Sequence, residues 1–205
     1  VFFSPKDAHA AGIVTVHQEL SLVPSLSIAE NVYLGRLKKK RRLGFPVVDW
    51  NELVRQATAL LNEFDIDLDA STLVGRLTVG QQQTIEIIKA IASDPSILLL
   101  DEPTSALAAH EVEQLFALVR RLRARGVTII YITHRMNELF EICDTCTVLR
   151  DGAYIGSVEL KDTSPDQIVE MMFGEHSAAP VARRQYKAVE PVLQVRNLSR
   201  KNAFS

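Results

Sequence analysis

Apolar positions along this chain follow two rhythms. Short unbroken apolar or β-branched runs have the length and density of buried strands: "GIVTVHQ" at Gly12 to Gln18, "ILLL" at Ile97 to Leu100, and "VTIIYIT" at Val127 to Thr133. Between them, apolar residues recur at helical spacing. Leu53, Ala57, Leu60, Leu61 and Phe64 share one face behind Asp49 and Glu52, which have the spacing of a capping box. Ile85, Ile88 and Ala92 follow Thr78 and Gln81, spaced in the same way. Val112, Leu115, Phe116, Val119 and Leu122 keep helical phase from Ala109 to Arg125, and Gly126 stands where a C-terminal cap is expected. Alternation of strand, helix and strand predicts an α/β domain whose parallel strands are joined by right-handed crossovers.

The rest of the chain reads as smaller pieces. "SIAENVYLG" is a short amphipathic segment, and Met136 to Ile142 is a short helix. "TVLRDGAYIGSVEL" reads as two strands joined at Asp151-Gly152, a favoured hairpin dipeptide. Ser164-Pro165-x-Gln167 opens a helix with proline at its first position, closing near Gly174. From Glu175 to Glu190 the periodicity gives way to small and polar residues, the composition of a linker, and "PVLQVRNLSR" beyond it begins a fresh strand with no chain left to pair it. The expected organisation is a domain over 1–174, a linker over 175–190, and the first strand of a second domain over 191–205.

Composition narrows the class without adding chemistry. The chain has 205 residues, 47% hydrophobic and 23% charged, with a formal net charge of -2, as an ordinary soluble globular protein has. That balance supplies no general footprint for nucleic acid, and "KKKRR" at Lys38 to Arg42 reads as a solvated surface insertion. No apolar run approaches the ~20 residues that span a bilayer, and "VFFSPKDAHAAG" at the start lacks a basic region followed by a signal-like core, so neither membrane embedding nor export is expected. Cys143 and Cys146 form a single C-x-x-C, compatible with a redox pair or half a metal site. With no second pair, two reduced thiols at a helix-to-strand junction are expected.

In parallel α/β sheets, ligands gather at the carboxyl ends of the strands. Gln18 ends the first predicted strand, Asp101 and Glu102 the second, and Thr133-His134 the third, so a glutamine, two carboxylates and a histidine could converge on one crevice. An acid at the end of a buried strand can hold Mg²⁺ directly or through water, and a neighbouring acid can orient or deprotonate an attacking water. That pairing suits hydrolysis of a nucleoside triphosphate. Taken alone, "ILLLDE" is equally a strand followed by a helix N-cap.

Four motifs together carry a family resemblance. "VHQEL" at Val16 to Leu20 is similar to the Q-loop of ATP-binding cassette (ABC) ATPases, and "LTVGQQQ" at Leu77 to Gln83 resembles their signature motif, usually written LSGGQ. "ILLLDEPTSAL" looks like their Walker B strand and D-loop, and "YITHR" at Tyr131 to Arg135 like their H-loop. All four occur in family order from Ala8 to roughly Gly174. The resemblance implies a P-loop NTPase-like parallel sheet with a helical subdomain, incomplete at its N-terminus, and ATP and Mg²⁺ as cofactors.

Within that superfamily, "PKDAHAAGIVTVHQEL", "LVPSLSIAENVYLGR", the triple-Gln signature and "VLRDG" resemble the tandem-cassette ATPase subunit of bacterial importers for ribose, galactose and xylose. This implies a second cassette in the same chain, transmembrane permease subunits as partners, and an extracytoplasmic sugar-binding protein met indirectly. It further implies a peripheral place on the cytoplasmic face of the bacterial inner membrane and no nucleic-acid partner. Importers of nucleosides and other small solutes share much of the pattern, and soluble ABC proteins of translation or DNA repair are a further class. Carried over by position, Gln18 would sense Mg²⁺ and the attacking water, Asp101 would hold Mg²⁺, Glu102 would act as general base or water-orienting group, and His134 would hydrogen-bond the γ-phosphate. Thr78, Val79, Gly80 and Gln81 would face the nucleotide on the opposite cassette. There the residues independently agree, because a capped helix start offers unpaired N–H groups and a positive dipole end to phosphate.

The chain departs from the family pattern in three places. Thr78 and Val79 stand where the general signature has Ser and Gly, and Ala108 stands where many cassettes carry Asp, so the cross-dimer hydrogen bond of that Asp is not available. No G-x-x-x-x-G-K-[ST] occurs among the 205 residues, so the principal β- and γ-phosphate cradle is missing. The chain is therefore expected to be an internal fragment of a longer ATPase and to hydrolyse no ATP unaided.

Overall fold

Capping side chains decide where this chain turns helical. The computed structural model describes residues 2–37, 39–42 and 45–174. It begins with α1 (Pro5–Ala10), β1 (Ile13–Val16) and α2 (Ile28–Val32), then the strand pair β2 (Lys39–Arg42) and β3 (Phe45–Val48). There follow α3 (Trp50–Glu63), α4 (Val79–Ile91), β4 (Ile97–Asp101), α5 (Ala109–Ala124), β5 (Thr128–Ile132) and α6 (Met136–Ile142). The hairpin β6 (Thr145–Arg150) and β7 (Ala153–Glu159) and the helix α7 (Pro165–Phe173) complete it. Ser27, Thr78 and Ser164 each close a full capping box with the Glu or Gln three residues on. Asp49 accepts from the Glu52 N–H at 3.4 Å, so the predicted helix starts fall where the hydroxyl and carboxylate acceptors are.

Strands β1, β4 and β5 form a parallel sheet in that order, with Val16 opposite Leu100 and Leu100 opposite Tyr131. The pleat puts Val14, Val16, Leu98, Leu100, Ile129 and Tyr131 on one face. There they join the main core with Ile85 and Ile88 of α4 and with Leu115, Val119 and Leu122 of α5. The same core takes in Ile28, Val32, Leu53, Ala57 and Leu61 of α2 and α3, which is the helical subdomain that the resemblance implied. The opposite face corrects an expectation. Val127 to Thr133 and Ile97 to Leu100 were expected to be buried on both sides, yet Ile130 and Ile132 are 45% and 44% exposed, because the helices among the described residues pack on the other face.

A second, smaller core gathers Leu139 of α6, Cys146 and Val148 of β6, Leu160, and Ile168 of α7. Asp151 and Gly152 both have positive φ, 52° and 76°, the geometry a two-residue turn needs to match strand twist. The KKKRR block runs into β2, which pairs antiparallel with β3, and Lys40 reaches Asp49 at 2.7 Å. The expected linker and second-domain strand, 175–190 and 191–205, lie outside the described residues.

One helix start is visibly incomplete. Ala108 has the extended backbone of an N-cap and no side-chain acceptor, while Glu111 reaches back to accept from the Ala108 N–H at 3.0 Å. That is half of a capping box. Ala108→Ser supplies the missing hydroxyl and is expected to add about 1 kcal/mol of stability, read as a shift of the urea midpoint at constant m. An unchanged midpoint would mean that α5 gains nothing at this position.

Candidate functional site

Three loops leave the same edge of the sheet, and their first polar residues meet. Gln18 lies just past β1, Glu102 just past β4, and His134 just past β5. The Glu102 carboxylate accepts from Gln18 Nε2 at 3.3 Å and lies 3.0 Å from His134 Nδ1. Its N–H donates to the Ile132 carbonyl at 2.9 Å, which ties the ends of β4 and β5 together. Glu102 has φ 45°, a left-handed conformation that costs a non-glycine residue about 1 kcal/mol. Backbone strain of this sort persists where the surroundings hold it, and it gathers at functional sites. Gln18 and His134 are exposed, whereas Glu102 is half-buried. The arrangement therefore presents an acceptor, flanked by an amide and an imidazole, to solvent.

Asp101 takes no part in that cluster. It pairs with Ile132 in the sheet register, on the face shared with Leu99 and Ile130 and not on the core face, so its carboxylate is available to a cation. Among the described residues no group of three or more His, Cys, Asp or Glu side chains converges to hold a metal. A cation here would rest on one protein carboxylate and complete its shell with non-protein oxygens, the usual habit of Mg²⁺ and not of a caged structural metal.

The four signature residues stand apart from this cluster, at the start of α4. Thr78 and Gln81 exchange cap hydrogen bonds of 3.0 and 3.2 Å, Gly80 is buried, and Val79 is 51% exposed. A Cβ on Gly80 would overlap the carboxylate of Glu111, which stands over this helix start and takes a 3.4 Å hydrogen bond from Thr78 Oγ1. An anionic group thus already fits the N-terminus of α4, and glycine is what lets it approach.

Three further polar residues hold the Gln18 loop, and none was anticipated. Glu86 of α4 accepts from the Ser21 N–H at 3.3 Å and from Ser21 Oγ at 2.5 Å, while Lys89 Nζ donates to the same hydroxyl at 2.7 Å. Asn31 of α2, fully buried, donates through Nδ2 to the carbonyls of Val23 and Ser27 at 3.0 Å and accepts from the Val23 N–H at 2.7 Å. The available sequence signal was a polar residue standing in an otherwise apolar stretch.

Cys143 and Cys146 are both free thiols, at the end of α6 and in β6, as expected. Burial pushes the Cys143 thiol up to about 11, with the neighbouring Cys146 and Asp144 adding to the effect. Little thiolate therefore exists at neutral pH, and thiolate is the reactive form. Alkylation of Cys143 by iodoacetamide at pH 8 is expected to run at least tenfold slower than in the urea-unfolded chain, as read by peptide mass spectrometry. Equal rates would remove burial as the cause.

Residues 4–105 match the family profile described as ABC transporter. The chain is 44% identical over 200 residues to the ribose import ATP-binding protein RbsA of Geobacillus kaustophilus, 43% identical over 198 residues to the xylose import ATP-binding protein XylG of Moorella thermoacetica, and 43% identical over 201 residues to the galactose/methyl galactoside import ATP-binding protein MglA of Haemophilus influenzae. Those alignments take in 97–98% of this chain and 38–40% of each relative, so the chain spans about 40% of the length of the curated relatives it matches. Among solved structures, a nucleotide-free ATP-binding cassette from an ABC transporter superposes with TM-score 0.66 at 24% identity, over 83% of this chain and 72% of that one. A second ATP-binding cassette of an ABC transporter gives TM-score 0.68 at 24% identity, over 82% of this chain and 71% of that one.

Proposed function

Since the chain belongs to the ABC transporter family, we propose that it is part of the ATP-hydrolysing subunit of a bacterial importer that energises uptake of a monosaccharide. The observation that carries this reading is the cluster of Gln18, Glu102 and His134 at the carboxyl edge of a parallel sheet. Its supports are the names of relatives more than 40% identical and the likeness of fold.

Mg²⁺, when bound with ATP, neutralises charge on the phosphates, and Asp101 is the carboxylate that would hold it. Glu102 would accept the proton of the attacking water or orient that water, with Gln18 at its Oε2 and His134 at its Oε1. His134 would donate to a γ-phosphate oxygen, and Gln18 would orient the water from the other side. Thr78, Val79, Gly80 and Gln81 would receive the nucleotide of an opposing cassette, in the place that the Glu111 carboxylate now fills. A G-x-x-x-x-G-K-[ST] loop is not among the 205 residues, so hydrolysis needs that cradle from elsewhere.

On this proposal the partners are transmembrane permease subunits, a second cassette linked through 175–190, and indirectly an extracytoplasmic sugar-binding protein, at the cytoplasmic face of the inner membrane. Among the described residues no helix is long and apolar enough to cross a membrane. The direct test is uptake of labelled ribose, xylose and galactose by a strain deleted for the gene. Loss of uptake of one sugar is expected, and uptake of all three at the parental rate would overturn the assignment to monosaccharides.

A further inference from the structure

Glu138 of α6 is 1% exposed, and the proposed reaction gives it no role. A buried carboxylate is costly unless it is well supplied with donors. This one is. Thr104 Oγ1 donates to Oε1 and Oε2 at 2.8 and 3.0 Å, Tyr131 OH donates to Oε2 at 2.9 Å, and Thr133 Oγ1 donates to Oε2 at 3.1 Å. The Arg135 guanidinium pairs with Oε1 at 2.9 Å.

The origin of these donors matters more than their number. Thr104 follows Glu102 and the buried Pro103, so its hydroxyl pins the loop leaving β4. Thr133 and Arg135 flank His134, and the Arg135 N–H also donates to Thr133 Oγ1 at 3.0 Å. One hydroxyl therefore closes the turn that displays His134 and anchors that turn to Glu138. Tyr131 supplies the end of β5 itself. Burial, reinforced by Glu138, pushes the Tyr131 hydroxyl well above its ordinary range, so it remains a proton donor throughout the working pH.

The contact between Glu102 and His134 cannot hold itself in place. Their side chains are 29% and 67% exposed, and a pair so open to solvent contributes little. Hydrogen bonds to a buried charge are worth more, and an unpartnered member of such a network is costly. The rigid end of the system is thus Glu138, and the exposed pair inherits its geometry from it.

We propose that Glu138 is a positioning residue which, through Thr104 on one side and Thr133 on the other, fixes the separation of Glu102 and His134 for the reaction. The inference rests on the ATP-hydrolysis reading above. Misplacement of a reacting group by about 1 Å can cost on the order of 10²-fold in rate, which sets the scale of what such a brace controls.

The experiment uses the complete gene product with ATP and Mg²⁺, comparing Thr133→Val, Thr133→Ser, Glu138→Gln and His134→Ala. Thr133→Val keeps shape and removes both hydroxyl bonds, and it is expected to lower kcat about tenfold with KM for ATP within twofold. Thr133→Ser restores the hydroxyl and is expected to recover most of kcat. In the His134→Ala background, Thr133→Val is expected to cost no more than a further twofold, because its effect passes through His134. Glu138→Gln, if it folds, should lower kcat at least as much as Thr133→Val, and if it does not fold the Thr133 series decides. Equal kcat in wild type and Thr133→Val, no recovery with Ser, or full additivity with His134→Ala would overturn the proposal. Absence of ATP turnover in the wild type would instead overturn the functional reading on which it rests.

Discussion

Replacing Glu102 by Gln in the complete protein is expected to cut phosphate release from ATP by about 10²–10⁴-fold, the usual worth of a positioned general base. Gln keeps the length and planarity of the side chain and can still hydrogen-bond His134 and Gln18, so the fold should hold within about 0.5 kcal/mol. What it loses is the capacity to take a proton or to offer two acceptor oxygens to water. Nucleotide affinity is expected to survive, since in the proposed role the affected group would act on the water and not on the phosphate chain, so the loss should fall on kcat. Undiminished turnover would remove Glu102 from the chemistry and leave its left-handed backbone as a structural feature of the β4 exit.

The second large effect is on stability. Asn31→Ala leaves the Val23 N–H without its partner and removes one of two donors from each of the Val23 and Ser27 carbonyls, which keep the backbone N–H groups of Leu26 and residue 31. One stranded N–H costs about 1–3 kcal/mol, so a loss of about 2 kcal/mol is expected from urea unfolding. The damage should be uneven. Amide exchange is expected to rise first at Val23, in the loop that also carries Gln18, before it rises in the strands of the sheet. A loss below about 0.5 kcal/mol, or uniform loss of protection, would show that the loop is held by Glu86 and Ser21 without help from Asn31.

Much of this architecture was legible along the chain because the deciding interactions are local. A capping box spans three residues, and a glycine after a helix or an Asp-Gly between strands acts on its own backbone. So α3, α4, α5, α7 and the β6–β7 turn begin or end where the sequence placed them. The meeting of Gln18, Glu102 and His134 was also legible, since parallel strands carry the residues that follow them to a common edge. What the runs could not reveal was coverage. An apolar strand declares its own density and not which of its faces a helix will reach, which is why Ile130 and Ile132 were misjudged. Nor could they reveal the partners of Asn31, Glu86 and Glu138. A polar residue in an apolar stretch is conspicuous, yet its donors lie far along the chain, as Ser21 and Thr104 do, or in loops whose path depends on the finished fold.

Helix α6 turns adjacent residues to different neighbours. Glu138 enters the network at the strand ends, while Leu139 packs into the small core of the β6–β7 hairpin and α7. That hairpin touches the rest of the molecule through a cluster distinct from the main core. One short helix thereby shares its residues between the hairpin core and the turn that displays His134, so the placement of α6 is fixed from both sides.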